Sequence, residues 1–428
     1  MKIIKSHEVI FGWALGVAAI LFYALFLSVK GGYIAGALLV LMLSVVTLAH
    51  WYKAPKAVEV KTLSLFLFLV GIFMSHSFDG LLTFSSEGDY FLKYVLGAFC
   101  VLGAAAVTLR PKVLAYAIAI GCVTSAVLAV VQFPVIGRAE GFTNAIRFGN
   151  IAMLMGMFCW IFSLARNFSK TEKFLLWICG SAGVVASVLS LSRGGWLILF
   201  ILPFIFLFYA TDKGAKKKLM VLIAVLWISL IAIFPFFPLA KDRIAEAETQ
   251  ITGYFEHRDE YAPTSVGARL EQWRLSWRLG WDKPLTGWGV NGIKEGRALY
   301  LEKGEAHPSI VGISHTHNEF LEMWASRGIV GVLALCAFYF IPIRIFWPKN
   351  NTLSKFSENN KNLYMSLSLI GVMLPVSYFI FGLTDVFFNL AIGHNFYIFS
   401  MVFVMASIQW LKKNDEQYSR AIAKDIEC

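Results

Sequence analysis

Charged side chains are scarce in this sequence of 428 residues, where Asp, Glu, Lys and Arg together make up 15%. Soluble domains carry about 25% charged residues. Because 58% of the residues are hydrophobic and the mean hydropathy is +0.66, one water-soluble core cannot enclose the apolar surface. The composition excludes an ordinary soluble domain and predicts an all-α polytopic membrane protein.

Cysteine is also sparse, and the polar part of the chain has none. The six cysteines fall in apolar runs or at the last position: Cys100, Cys122, Cys159, Cys179, Cys336 and Cys428. The long polar segment 241–316 contains no cysteine, so no disulfide framework is expected there. The sequence also shows no internal repeat and no low-complexity tract. The first apolar run is too long for a signal peptide and lacks a clean cleavage site, so it is interpreted as the first membrane span.

Long apolar runs, in contrast, are abundant. A transmembrane helix needs roughly 20 apolar residues, and the pattern predicts twelve spans: 9–29, 33–51, 62–80, 91–109, 113–133, 146–165, 174–191, 195–210, 219–238, 319–345, 363–386 and 390–410.

The distribution of basic residues predicts the orientation of these spans. Of the 38 Lys and Arg residues, 22 fall in the loops of one side and 5 in the short loops of the other. Because cytoplasmic loops carry the excess of basic residues, both termini are predicted to be cytoplasmic. The chain then divides into spans one to nine at 1–240, a large periplasmic loop at 241–316, spans ten to twelve at 317–411 and a cytoplasmic tail at 412–428. This rule explains the net charge of +11 better than nucleic-acid binding does.

The long loop is predicted to contain helices that lie in the membrane interface. Residues 241–248 have the pattern of a charged surface helix. Between 266 and 281, a stripe at helical spacing consists of Leu270, Trp273, Trp277 and Trp281. Tryptophans flanked by arginines are typical of an interfacial helix. Arg269, at the start of this helix, is placed to reach an anion at the membrane surface.

Three further arginines lie in short external turns. Arg193 stands in a Ser-Arg-Gly-Gly turn between spans seven and eight, where a helix N-terminus and a guanidinium together favour an anion. A snorkelling arginine at the interface is the alternative. Arg138 and Arg147 enclose the turn between spans five and six, which is either an anion site or an ordinary polar turn.

Two histidines and an asparagine, His315, His317 and Asn318, stand where the long loop enters span ten. The start of a helix and partial burial favour a neutral imidazole at His317, which can accept a proton. A hydrogen-bonded structural role is the alternative. The sequence offers no third ligand at metal spacing and no Asp-x-Asp motif, so no metal is predicted. Asp385, at the external end of span eleven, is left without an assigned role.

These stretches, in this order, resemble the O-antigen ligase family within the O-antigen ligase/polymerase superfamily. The family pattern of His-Asn, nine residues, Gly, two residues, Gly is matched by His317, Asn318, Gly328 and Gly331. The family arginine, separated by three residues from a large apolar residue, is matched by Arg269 and by Trp273, which stands where leucine is common. The arginine of the short turn is matched by Arg193.

The resemblance implies an enzyme of the Gram-negative inner membrane whose site faces the periplasm. It would transfer O-antigen polysaccharide from undecaprenyl pyrophosphate to a sugar hydroxyl of lipid A–core, with inversion and without a metal, nucleotide sugar or other cofactor. Arg193 and Arg269 would bind the pyrophosphate, with Arg138 and Arg147 assisting. His317 would be the base or hydroxyl-orienting group, with Asn318 and His315 beside it in the substrate site. The expected partners are the two glycolipids and membrane lipids, with no nucleic acid.

Three other functions fit parts of the pattern. An O-antigen polymerase or a protein O-oligosaccharyltransferase would use the same donor. A transporter is the alternative outside enzymes, but charges within the spans are scarce, and no paired broken helices suggest matching halves.

Overall fold

The computed structural model of the chain describes residues 2–47, 57–74, 86–199, 217, 220–221, 238–312, 315–354, 356–388 and 390–427. Every regular element within these ranges is helical. The prediction of an all-α fold is therefore confirmed for the described chain. A helix satisfies its backbone hydrogen bonds internally, which is what the hydrocarbon layer demands of a spanning segment.

The α-helices, numbered in chain order, are α1 Lys2–Phe26, α2 Gly32–Val46, α3 Val58–Met74, α4 Ser86–Val107, α5 Pro111–Ile136, α6 Ala145–Ser163, α7 Lys170–Leu189, α8 Pro238–Glu256, α9 Arg258–Tyr261, α10 Ser265–Asp282, α11 Gly289–Glu302, α12 Glu319–Phe346, α13 Asn350–Leu353, α14 Glu358–Gly382 and α15 Ala391–Glu427. Two 3₁₀ turns occupy Gly194–Trp196 and Pro308–Ile310.

Seven helices of the described chain are long and apolar enough to cross a membrane. They cover Val9–Phe26, Pro111–Ile136, Ala145–Ser163, Lys170–Leu189, Glu319–Phe346, Asn360–Gly382 and Ala391–Asp415. Shorter apolar helices at Gly32–Val46 and Phe91–Val107 coincide with predicted spans two and four. Predicted spans eight and nine lie mostly outside the described residues, so the count of twelve stays a prediction, as do the sidedness of the loop and the termini.

The described chain forms two compact units. The first consists of Met1–Trp196, Cys336–Phe381 and Phe387–Cys428. Its centre is α6, whose side chains are almost all buried. A β-carbon on Gly156 of α6 would come within 2.6 Å of the Gly180 carbonyl oxygen of α7, so glycine permits this close approach. Small residues at such contacts let transmembrane helices pack by van der Waals attraction.

The second unit consists of Leu197–Leu335 and Gly382–Val386, and its first range includes the predicted loop 241–316. The charged segment 241–248 is helical within α8, and the tryptophan-rich segment forms α10, as predicted. Thr264 caps α10 by accepting the Gly267 N–H at 3.1 Å. A small apolar core packs α10, α11 and the start of α12 together through Leu275, Leu279, Ile293, Tyr300, Ala306, Ile310 and Ala325.

The buried face of α10 is not the predicted tryptophan stripe. It carries Glu271, Leu275 and Leu279, whereas Trp277 and Trp281 are more than half exposed. Trp273 departs from the stripe, because it is half-buried and its indole N–H donates to a backbone carbonyl. The exposed tryptophans of the stripe are thus its last two, which pack against Trp324 of α12.

Helix α12 bends where the family glycine occurs. Gly328 has φ 61° and ψ −155°, a conformation that residues with a β-carbon rarely adopt. The bend lets the Ile329 N–H donate to the Pro284 carbonyl at 2.8 Å, which ties α12 to the turn after α10. The glycine pattern therefore has a structural reason at this position. At the other end of the chain, α15 continues through most of the predicted tail 412–428 as one helix.

Candidate active site

The polar cluster at the start of α12 is organised by Asn318. Its side-chain oxygen accepts the N–H groups of Phe320 at 3.0 Å and Leu321 at 3.1 Å, which is the arrangement of a helix N-cap. Its amide nitrogen donates to the Leu383 carbonyl at 3.2 Å. The capping residue therefore holds the segment after α14 beside the start of α12, within the second unit.

This contact brings Asp385 to the two histidines. One carboxylate oxygen, Oδ1, lies 3.4 Å from His317 Nδ1 and 3.5 Å from His315 Nε2. The imidazole centroids are 4.5 Å apart. Asp385 is fully buried, whereas each histidine side chain is about a quarter exposed. A buried carboxylate beside accessible imidazoles can orient them and stabilise the imidazolium that forms when one accepts a proton.

Thr316, the residue between the histidines, forms hydrogen bonds through both its backbone N–H and its carbonyl. The Thr316 N–H donates to Glu322 Oε2 at 2.9 Å, and its carbonyl accepts the Trp273 indole N–H at 3.0 Å. The next residue, His317, has φ +52°. This left-handed conformation costs a residue with a β-carbon about 1–2 kcal/mol. The hydrogen bonds at Thr316 support this backbone conformation, so α10 and α12 both contribute to the orientation of the imidazole.

Behind this segment, Glu322 also faces a buried arginine. Arg297 Nη2 of α11 lies 3.9 Å from Glu322 Oε2, and both side chains are largely inaccessible. Burial lowers the pKa of Arg297, and the Glu322 carboxylate opposes that shift. The pair gives the buried Glu322 carboxylate a cation as well as the Thr316 N–H.

Glu271 anchors α10 from its buried face. Its carboxylate accepts hydrogen bonds from Tyr254, Arg258 and Arg274 and from the His307 N–H. Although burial acts to raise it, these hydrogen bonds hold the pKa of Glu271 well below its usual range. Burial and the adjacent carboxylate raise the pKa of Tyr254 to about 12. This network fixes the rotation of α10, on which Arg269 and Trp273 lie.

Arg269 is exposed, in the second turn of α10 and one turn before Trp273. The helix that carries it thus touches the chain between the two histidines through Trp273. The predicted interfacial anion role of Arg269 fits an accessible guanidinium and stays a prediction.

Arg193 belongs to the first unit, in the turn after α7, and is exposed. The turn is made differently from the prediction: the residue with positive φ is Leu191, at 58°, rather than either glycine. Gly195 serves close packing instead, because a β-carbon there would lie 2.9 Å from Asn150 Oδ1. Ser192 contacts the same Asn150 side chain at 3.5 Å.

Arg138 and Arg147 also lie in the first unit and differ in accessibility. Arg138 is exposed and pairs with Glu140, with Nη2 to Oε1 at 2.6 Å. Arg147 is buried in the first turn of α6, where its backbone N–H donates to the Asn144 side chain at 2.9 Å. An assisting role for these two arginines stays a prediction.

The two histidines and Asp385 also have the composition of a cation site. One ligand atom from each residue lies within 4.8 Å of the others. No third ligand lies near the histidines in the sequence. In the folded protein, Asp385 lies beside them and supplies a third possible ligand. Imidazole and carboxylate together suit Zn²⁺. The cluster is thus able to hold a metal, even though the predicted chemistry uses none.

Sequence reasoning left several of these residues without a role. For Asp385, the signal in the sequence is a carboxylate at the end of a predicted span. Glu322 and Glu271 were not singled out, although an acidic residue at a buried helix position is a signal that it has a partner. Arg297 gave no usable signal, because its partner is on another helix.

Two comparisons relate the chain to known proteins. Residues 174–336 match the family model described as O-antigen ligase, a segment that includes Arg193, Arg269 and His317. A protein of Haemophilus influenzae, described as an uncharacterized protein, is 27% identical over 300 residues, which is 69% of this chain and 73% of that protein. The family match agrees with the motifs at the start of α12 and in α10. The chain is thus a polytopic membrane protein whose residues 174–336 match the O-antigen ligase family model.

Proposed function

We propose that this protein is an O-antigen ligase that transfers O-antigen polysaccharide from undecaprenyl pyrophosphate to a sugar hydroxyl of lipid A–core, on the periplasmic face of the inner membrane. The observation that carries the proposal is the buried Asp385 carboxylate 3.4 Å from His317, at the start of α12 in a chain with an O-antigen ligase domain. The family gives the reaction class, and the cluster gives a group able to accept the hydroxyl proton.

In the proposed reaction, the acceptor hydroxyl oxygen forms a bond to the anomeric carbon as the bond to the pyrophosphate oxygen breaks. The configuration inverts, because the two oxygens lie on opposite faces of the sugar. The hydroxyl proton passes to His317. Since Nδ1 faces Asp385, Nε2 is the ring nitrogen left to accept it. Asp385 stabilises the imidazolium until the proton leaves to water.

The leaving pyrophosphate gains negative charge as the bond breaks, and placed cations stabilise this charge most in the transition state. Arg193 and Arg269 are proposed for this role. Both side chains are exposed, and arginine binds phosphate oxygens through two parallel N–H groups. Asn318, His315, Arg138 and Arg147 are proposed contacts to the glycan or pyrophosphate. For Asn318, capping and the bond to Leu383 suggest that it orders the site around His317.

The test is reconstitution of the purified protein in liposomes with both lipid-linked substrates. The proposal expects modified lipid A–core. A longer lipid-linked glycan without modified lipid A–core would indicate a polymerase, a glycosylated protein would indicate an O-oligosaccharyltransferase, and solute flux without transfer would indicate a transporter.

The same assay tests the arginines through matched variants. Arg193→Lys and Arg269→Lys keep the charge but lose the planar fork, so each is expected to reduce transfer well below wild type at equal protein level. Arg278→Lys, on the same helix as Arg269 but paired with Glu305 at 2.7 Å, is the control and should retain activity. Full activity in both test variants would contradict bidentate pyrophosphate binding.

A further inference from the structure

A basic cavity in the first unit lies far in sequence from the candidate catalytic residues and has no part in the proposed transfer. It has a volume of about 330 Å³ and opens between the Val9–Trp13 part of α1, the start of α5 and the later part of α15. Its polar lining comes from Thr108, Arg110, Lys413 and Asn414, and its aromatic lining from Trp13 and Trp410. No acidic side chain is among the lining residues that the structure describes.

Arg110 is the exposed cation of this cavity. Its guanidinium lies over the Trp13 ring at 5.3 Å from the centroid, a cation–π contact. The neighbouring Lys112 is committed elsewhere, because its ammonium pairs with Glu172 at 2.8 Å. Among the described residues, Arg110 has no carboxylate partner, so its charge is available to an anion in the cavity.

The backbone around Arg110 strengthens the preference for an anion. Arg110 immediately precedes α5, and its side chain makes no capping hydrogen bond, so the cavity adjoins an uncapped helix N-terminus. The positive end of the helix dipole favours negative charge there. Thr108, two residues earlier, has φ +69°, and the Leu109 N–H donates to the Ala406 carbonyl of α15 at 3.2 Å. The linker that carries Arg110 is therefore tied to α15.

Apolar rows lead away from the cavity along two adjacent helices. On α1, Val9, Trp13 and Val17 are exposed at four-residue spacing. On α5, exposed apolar residues follow at helical spacing: Tyr116, Ile120, Val123 and Val127. The two helices run in the same direction, because Gly16 of α1 lies beside Val113 of α5 and Ala24 beside Thr124. Both rows therefore run the same way from the cavity. Acyl chains attached to a head group in the cavity would cover these rows.

We propose that this cavity binds the phosphate of an anionic phospholipid, with the acyl chains along α1 and α5. Basic pockets between transmembrane helices recognise anionic head groups in this way. Tryptophans at the head-group level suit the same boundary between lipid and water. A free phosphate compound shares the head-group chemistry but would make no use of the apolar rows.

The test is lipid retention by the full-length protein in nanodiscs of phosphatidylcholine with a minor fraction of phosphatidylglycerol. After release, native mass spectrometry counts the lipids that stay bound. Wild type should retain phosphatidylglycerol in preference to phosphatidylcholine. The double variant Arg110→Gln/Lys413→Gln should lose about tenfold in that preference.

Two controls keep the outcome decisive. Lys30→Gln, which removes a cation after the opposite end of α1, should leave the preference unchanged, and Arg110→Lys should retain most of it. Thermal unfolding in the nanodisc identifies a variant that has lost its fold. If the double variant does not fold, the single variant Arg110→Gln is compared with Arg110→Lys instead. Equal preference in wild type and the double variant would overturn the proposal. Displacement of the lipid by glycerol phosphate at comparable concentration would overturn the lipid assignment in favour of a soluble anion.

Discussion

His317 combines an unusual backbone conformation with a buried carboxylate neighbour. Its φ of +52° is held in place by bonds to Thr316, and Asp385 lies against its Nδ1. Non-glycine residues in such conformations cluster at functional sites, because the surrounding structure must offset the strain. His315 shares the carboxylate, and the positive φ is that of His317. The two imidazoles are therefore not equivalent, and the difference is testable.

We expect His317→Ala to lower the transfer rate by about 10²–10⁴-fold, the range of general-base assistance. His315→Ala should cost less, because its imidazole is proposed only to contact substrate. Asp385→Asn should lower the rate while donor binding persists, since the amide carries no charge to stabilise the imidazolium. The measurement is in vitro transfer beside a donor-binding assay. An inactive His315→Ala with an active His317→Ala would identify the other imidazole as the base.

The same three residues predict sensitivity to zinc. A chelator should leave transfer unchanged, because the proposed mechanism uses no metal. Added Zn²⁺ should inhibit, because it would occupy the nitrogen lone pairs and the Asp385 oxygen that lie within 4.8 Å of one another. The chelator should then restore the rate, and His315→Ala should weaken the inhibition. Loss of activity with chelator alone, reversed by zinc, would instead make this a metal enzyme.

At the level of elements, α10 reaches the site through one indole. Trp273→Phe removes the hydrogen bond to the Thr316 carbonyl but keeps an aromatic ring, and we expect kcat to fall by about tenfold with little change in KM. Trp277→Phe is the matched control, since it changes an exposed tryptophan one turn later on the same helix. A higher KM with unchanged kcat, or an equal effect in the control, would contradict a positioning role for Trp273.

Glu271 sets a second prediction at this scale. Glu271→Gln keeps the shape but removes the charge that accepts from Arg258 and Arg274, so the second unit should lose about 1–3 kcal/mol of stability. The pKa of Glu271 is lowered in the folded protein, so its contribution is complete above the unfolded value near 4.3 and is lost as pH falls towards the folded value.

Thermal unfolding of wild type and Glu271→Gln across acidic pH measures this contribution. The difference in Tm between them should be constant near neutral pH and should shrink as the pH falls below about 4. Glu302→Gln, an exposed acid on α11, is the control and should show no comparable difference. A difference in Tm that stays constant as the pH falls well below about 4 would show that the Glu271 charge does not stabilise the fold.

For the whole molecule, the charge distribution predicts that residues 241–316 face the periplasm. In a variant with the native cysteines replaced, Glu302→Cys should react with an impermeant thiol reagent when only the outer membrane is permeable. Thr171→Cys, exposed at the start of α7 on the predicted cytoplasmic side, should react only after the inner membrane is lysed. The reverse pattern would overturn the orientation.

The sequence predicted the elements better than the contacts between them. Helical periodicity and apolar length located α5, α6, α7 and α12 close to their observed bounds. They also located the start of α15 but not its end, because that helix continues to Glu427. The tryptophan stripe was predicted as one surface, yet Trp273 turns inward. The reason is that Glu271 accepts hydrogen bonds from four residues, which fixes the rotation of α10. Periodicity identifies a stripe but not which neighbour it meets.

What the sequence determined by itself is the class of the molecule: helical, membrane-spanning, with a polar loop and a histidine pair where that loop meets a span. These follow from composition, apolar length and local spacing, which depend only on the chain. Tertiary structure alone decided that Asp385 is the partner of His315 and His317, and that Trp273 and Glu322 hold the residue between them. Those contacts join residues far apart in sequence, and only the packing of α10, α12 and the segment after α14 brings their side chains within reach of one another.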